Sequence, residues 1–345
     1  MKEVITPANK SQRIGYIDAL RGFTMFLVVL EHVANFCWGV VGKGISVHEY
    51  LLQIRMPMFF FISGFVLYKE GVEWNARHIF RFFKKKIPVQ LISPFIFFFI
   101  FLHLQGIPLS NGLLDKYKGG YWFTLSLLEF FVFYALVRFC VRQWWSRIIL
   151  VVIGLVFYRE CNLQMTANNQ TIDNVISLLG VQHWCYFIFM VLGTLARQYY
   201  SRLQQWLDNK WLLAACISFY LLVNAFGDVL PVYARSVSLM LSLTGIAIVF
   251  SFFRKKQAVF SRETALGRTM QYVGRRTLDI YLLHYFFLPT NLNFITLFRD
   301  HPIPIIEALT SSVLAIIIIA VCLLFSEIIR LSPWLAHWLF GARKS

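Results

Sequence analysis

Apolar residues in this chain fall in long runs, many near twenty residues, separated by short segments in which charges gather. A run of that length suits a helix crossing roughly 30 Å of hydrocarbon. Strands of a membrane barrel would be about ten residues long with strict alternation, and the chain lacks that pattern. The pattern predicts an all-α, polytopic transmembrane bundle. About ten spans can be drawn, over 14–38, 49–69, 87–105, 121–140, 147–160, 176–199, 211–229, 233–253, 275–298 and 304–330. Connectors are brief, and neither an internal repeat nor a soluble appendage stands out, so 1–345 reads as a single membrane domain.

Composition agrees. Hydrophobic residues make up 58% of the 345 and charged residues 14%, with a mean hydropathy of +0.61. A soluble domain carries about a quarter charged residues. The net charge of +16 raises nucleic acid as a partner, but its placement argues for a bilayer instead. With the N-terminus in the cytoplasm, alternate connectors collect most of the 33 cations, among them Arg77, Arg81, Lys84, Lys85, Lys86, Arg138, Arg147, Arg254 and Arg275. The opposite side holds Lys43, Lys116, Lys118, Arg159, Arg235 and Arg299, while Arg21 and Arg55 lie within spans. That asymmetry predicts cytoplasmic termini and a cell (inner) membrane location, because cytoplasmic loops retain Lys and Arg. The first span is long, polar in places and without a small-residue cleavage site, so it is expected to persist as helix one. The six cysteines are scattered, with no CxxC pair and no His at ligand spacing, which implies no metal site.

Ionisable groups inside the spans need a reason, since each costs roughly 2.5–3.5 kcal/mol near the bilayer centre. Arg21 and His32 in span one, Arg55 in span two, Glu129 in span four and His284 in span nine stand out. Eleven positions separate Arg21 from His32, which places both on one helix face, about 16 Å apart along the axis. Arg21 then lies in the inner leaflet and His32 in the outer. Glu31 is next to His32, but adjacent helix residues diverge, so Glu31 is not expected to orient that ring. Arg55 and Glu129 fall about 9–12 Å inside the outer surface, a depth similar to that of His32. They could form a cluster with His32, or a buried structural ion pair with each other. His284 alone reads as a packed, hydrogen-bonded histidine. The run Arg81-Phe82-Phe83-Lys84-Lys85-Lys86 suits a span anchor and would also suit a phosphate-bearing ligand. Trp38, Tyr117, Tyr121 and Trp122 read as an interfacial aromatic belt.

Four ordered segments carry a resemblance. Ile17-Asp18-Ala19-Leu20-Arg21-Gly22 leads into an apolar run ending at His32, and Pro57-Met58-Phe59-Phe60-Phe61-Ile62-Ser63-Gly64-Phe65 follows. Tyr121-Trp122-Phe123 comes next, and then Gly274-Arg275-Arg276-Thr277-Leu278-Asp279-Ile280-Tyr281-Leu282-Leu283-His284. Together they resemble the acyltransferase 3 family, whose hallmark is an Arg and a His separated by ten residues in the first helix. Thr277 stands where Ser is usual, and Arg81 is followed by Lys84 where a second Arg is common. Lys keeps the charge but loses the two-pronged geometry.

The resemblance implies a membrane-bound O-acyltransferase moving an acyl group, usually acetyl, from cytoplasmic acetyl-CoA to an extracytoplasmic polysaccharide or lipid-linked glycan. It assigns Arg21, Arg81, Lys84 and His284 to the acyl-CoA donor, and His32 to catalysis as general base, a role suited to a group titrating near neutrality. Arg21, Arg55 and Glu129 join the catalytic set for orientation or oxyanion stabilisation. Direct transfer and an acyl-histidine intermediate both stay open. Two other classes compete: a transporter of protons or a small anionic solute, and an acetyltransferase of the heparan-glucosaminide type. No paired broken helices or repeated halves favour the transporter.

Overall fold

A computed structural model describes residues 14–39, 49–160, 170–226, 235–289 and 303–342. The expected cationic positions in 1–13, Lys43, Arg299, the tail cations Arg343 and Lys344, and the far part of the ninth span lie outside the described residues. The side chain of Arg235 is likewise not described. Among the described residues every regular element is helical.

The first half of the chain forms α1 (Gly15–His32), α2 (Glu49–Leu67), α3 (Ala76–Ile87), α4 (Ser93–Leu104), α5 (Leu109–Leu114), α6 (Trp122–Cys140) and α7 (Trp145–Glu160). The second half forms α8 (Gln170–Leu178), α9 (Phe187–Gln198), α10 (Tyr200–Asp208), α11 (Lys210–Phe226), α12 (Arg235–Lys255), α13 (Ala265–Arg275) and α14 (Thr277–Leu283). It closes with α15 (Pro304–Arg330) and α16 (Pro333–Phe340).

Among the described residues, four helices are long and apolar enough to cross a membrane: Ala76–Leu104, Trp122–Cys140, Ser236–Lys255 and Pro304–Arg330. A fifth crossing can be made from α10 and α11, which meet at a 76° bend. The other expected spans coincide with shorter or interrupted helices, and the interruptions have local causes. Span six divides because Gly180 adopts a left-handed conformation and a 3₁₀ turn, Val181–Tyr186, precedes α9. Within Ala76–Leu104, Pro88 removes a backbone donor, and the chain widens into a π turn over Pro88–Ile92 before α4. Span nine becomes α14 and a 3₁₀ turn, His284–Phe286, preceded by the polar-faced α13. Thr264 caps α13, its hydroxyl accepting the Gly267 N–H at 2.9 Å.

Packing turns these pieces into one bundle. Glycines allow backbone-to-backbone crossings: a Cβ at Gly22 or Gly274 would overlap the facing backbone of α13 or α1. Likewise a Cβ at Gly64 or Gly193 would overlap α9 or α2. Such close approach between small residues is how membrane helices gain contact where lipid supplies no hydrophobic drive. One buried cluster forms around Phe60, Phe65, Phe130, Phe187 and Phe250, and a second around Val29, Phe97, Ile280, Leu282 and Cys322. The outer faces stay apolar. In Pro304–Arg330, whose apolar window has a hydropathy of 2.8, only 28% of that window is buried, and Ile305, Leu309, Val313 and Ile316 are exposed. Water would not tolerate a continuous stripe of this kind, and hydrocarbon would.

Candidate active site

α1 continues past His32 into a π turn over Val33–Cys37. Both polar side chains named on its face, Arg21 and His32, line one cavity of about 510 Å³. The eleven-residue offset therefore becomes a depth of about 16 Å along the wall of a single chamber.

The two ends of that chamber differ. Around Arg21 the lining includes Lys69, His78, Lys85, Lys86, Arg138 and Arg147. Two of these cations are fixed by neighbours: Arg138 donates to Ser146 Oγ at 2.5 Å and Arg147 to Tyr199 Oη at 3.1 Å. Lys86 lies over the rings of Phe131 and Phe82, with its ammonium 5.0 and 5.7 Å from their centroids. Around His32 the lining is aromatic and uncharged, formed by Gly120, Trp122, Phe123, Tyr281 and Tyr285. Arg81 and Lys84 are exposed and do not line the cavity. Of the run expected to meet a phosphate-bearing ligand, Lys85, which is exposed, and Lys86, which is half-buried, line the cavity.

His32 sits in a compact polar cluster. Its Nε2 is 3.0 Å from the Tyr285 hydroxyl, and its ring centroid is 5.2 Å from that of His284. His284 is fully buried and donates from Nδ1 to the Ile280 carbonyl at 3.0 Å. It does not line the cavity, so it stands beside His32 rather than at the cationic end expected of a donor-binding residue. Tyr285 has room because of Gly120. That residue has φ +97°, a conformation open to glycine, and a Cβ there would overlap the Tyr285 ring. The Gly120 carbonyl also accepts the Tyr281 hydroxyl at 2.9 Å.

Glu31 Oε2 lies 3.5 Å from His32 Nδ1, although adjacent positions diverge on a helix. A glutamate is long enough to curl back around the helix surface, which arithmetic on Cα directions ignores. The same carboxylate forms an ion pair with Arg55 and accepts the Asn35 amide at 2.6 Å. Arg55 therefore pairs with Glu31 and not with Glu129. Glu129 instead accepts the Trp184 indole N–H at 3.1 Å, and neither Arg55 nor Glu129 lines the cavity. A cluster of His, Arg and Glu does form around His32, with its carboxylate supplied by α1.

The aromatic belt is also corrected. Tyr121 and Trp38 are buried inside the bundle, and Trp122 stacks on His183 with ring centroids 3.9 Å apart while lining the cavity. Tyr117 alone of the four is exposed. On the connector before α6, the Lys118 ammonium donates to the carbonyls of Leu113 and Ser177 at 2.6 Å each and of Asp115 at 3.2 Å. Burial draws its pKa below the usual lysine value, against the pull of Asp115 and Glu129.

Chemically, the arrangement offers fixed cations for a phosphate-bearing group at one end and an imidazole with an accessible nitrogen at the other. Both line the same cavity, whose wall also includes Met25, Val28, Phe59 and Leu127. Sequence reasoning missed Tyr285 and Gly120 and set Glu31 aside; Tyr285 directly follows the last motif residue, His284, and was within reach. A family described as an acyltransferase domain, acyltransferase 3, matches residues 14–327. No curated protein and no solved structure matches the chain.

Proposed function

Because the chain belongs to the acyltransferase 3 family, we propose that it is a cell-membrane O-acyltransferase carrying an acyl group, acetyl in the first instance, from cytoplasmic acyl-CoA to an extracytoplasmic glycan. One observation carries this reading: Arg21 and His32 share a cavity whose Arg21 end is cationic and whose His32 end is not. The acceptor is a hydroxyl of a polysaccharide or lipid-linked sugar. Both termini lie in the cytoplasm, and about ten passages cross the bilayer, several of them as broken helices. The cation distribution supports this orientation, since Lys85, Lys86, Arg138 and Arg147 then face the cytoplasm.

Arg21, Lys85, Lys86, Arg138 and Arg147 hold the phosphates of the donor, where guanidinium and ammonium groups pair well with phosphate oxygens. The pantetheine arm lies along the cavity with its thioester near His32. His32 Nε2 then takes the proton of the acceptor hydroxyl as that oxygen attacks the thioester carbonyl. The carbon–sulfur bond breaks, and the departing thiolate receives the proton from His32. His284 packs against the base, and Glu129 fixes Trp184 nearby.

The test is transfer itself. Purified protein in proteoliposomes receives acyl-labelled CoA on the face bearing Lys85 and Lys86, with a lipid-linked oligosaccharide present on the other. Label bound covalently to the sugar supports the enzyme. Solute flux without label on the sugar overturns it in favour of the transporter.

A further inference from the structure

We infer that Glu31 is a positioning residue for His32, choosing which ring nitrogen acts as the base; this rests on the role proposed above for His32. A neutral imidazole carries one N–H, and its location is set by what the other nitrogen meets. A carboxylate only accepts hydrogen bonds. Glu31 Oε2 lies 3.5 Å from Nδ1, a charge contact and not a hydrogen bond, and its negative charge favours the tautomer with hydrogen on that nearer nitrogen. Nε2 is left with its lone pair toward the cavity, where the Tyr285 hydroxyl lies 3.0 Å away. An acceptor hydroxyl entering the cavity would take the place that Tyr285 now fills.

The surroundings of Glu31 are built to keep it ionised and still. It is 8% exposed, and a carboxylate so buried persists only if compensated. Arg55 from α2 supplies the countercharge, and Asn35, one turn on along α1, holds the second oxygen. Neither Glu31 nor Arg55 lines the cavity, so both act through the imidazole and not on substrate. When His32 accepts a proton during transfer, the same carboxylate stands against the new positive charge, as the aspartate does in a Ser-His-Asp triad. The ionisable groups facing His32 are Glu31 from its own helix, Arg55 from α2, and His284 and Tyr285 from the turn after α14. Among them Glu31 alone is an anion at neutral pH.

Two measurements test the assignment. ¹⁵N spectra of histidine-labelled wild-type protein, with His32 identified by its loss in His32→Gln, should report hydrogen on Nδ1. Hydrogen on Nε2 overturns the proposal whether or not the protein acylates glycans. In the transfer assay, Glu31→Gln should lower kcat by about 10–100-fold with the KM values for donor and acceptor within twofold of wild type. Glu31→Asp should recover part of the loss. Should Glu31→Gln fold poorly for want of a partner for Arg55, Glu31→Gln combined with Arg55→Gln removes both charges. A double variant restored to wild-type kcat would reduce Glu31 to a structural ion-pair member and refute the proposal. A tautomer as expected with no acyl transfer at all would instead refute the acyltransferase reading and leave the Glu31–His32 pairing intact.

Discussion

Arg21 and His32 were legible in the sequence for a simple reason: a charge or a titratable ring in an apolar helix is expensive, so its presence asks for a use. The partners of His32 were not legible, because they depend on side-chain reach and on which helices touch. Glu31 curls back on its own helix, Arg55 arrives from α2, and Tyr285 arrives from a turn more than 250 residues away. The same blindness hid which members of the Arg81–Lys86 run reach the cavity: Lys85 and Lys86 line it, and Arg81 and Lys84 do not. At this scale, His32→Ala should lower transfer by about 10²–10⁴-fold, the range for loss of a general base, with helical content by circular dichroism unchanged. Lys86→Met should raise the KM for acyl-CoA about tenfold or more, since a hydrogen bond to a charged group contributes about 1.5–3 kcal/mol. It should leave the KM for the acceptor near wild type, which initial-rate kinetics on each substrate would resolve.

Among the elements, the family motifs turn out to be partly about packing. Gly64 lies in the second-helix signature and Gly274 opens the late one, and both sit where two helix backbones touch. Gly193→Leu places a branched side chain into the α2 backbone at Phe61. Overpacking of this kind costs about 1–3 kcal/mol or more, so the detergent-solubilised variant should unfold at a distinctly lower temperature by scanning fluorimetry.

A second tie fastens α14 to α15. Asp279, 2% exposed, accepts three bonds from Arg330, from Nε at 3.0 Å and from Nη2 at 3.0 and 2.7 Å, and one from Ser326 at 2.5 Å. Arg330→Met leaves that carboxylate with Ser326 and the more distant Arg276, whose Nη1 lies 3.7 Å away, and breaking a buried pair from one side costs up to about 3–5 kcal/mol. Combining it with Asp279→Leu should restore much of the loss in the same melting assay. Neither tie could be read in advance, because a glycine or an aspartate in an apolar run does not say which helix it meets.

For the whole molecule, hydropathy predicted the helical class and the apolar exterior, and its third, fourth, eighth and tenth spans fall on the helices long and apolar enough to cross a membrane. It overlooked the breaks, since a window average passes smoothly over Gly180 and over the turn at His284–Phe286. Reporter fusions check the orientation. Alkaline phosphatase joined after Gly106 should be active, and joined after Arg142 it should be silent.

The unequal ends of the cavity bear on a quantity that contact geometry does not mention, the membrane potential. Each elementary charge moved across a bilayer costs about 2.3 kcal/mol per 100 mV. In the reaction proposed above, the phosphates stay among Lys85, Lys86, Arg138 and Arg147, with uncharged rings around His32, so the donor's anionic part never enters the field. What is exchanged is an acyl group moving outward for a hydrogen moving inward, and no net charge crosses. Acylation by vesicles should therefore run at the same rate with and without a potassium diffusion potential, so that a glycan coat could go on being modified by a de-energised cell as long as its thioester supply lasts.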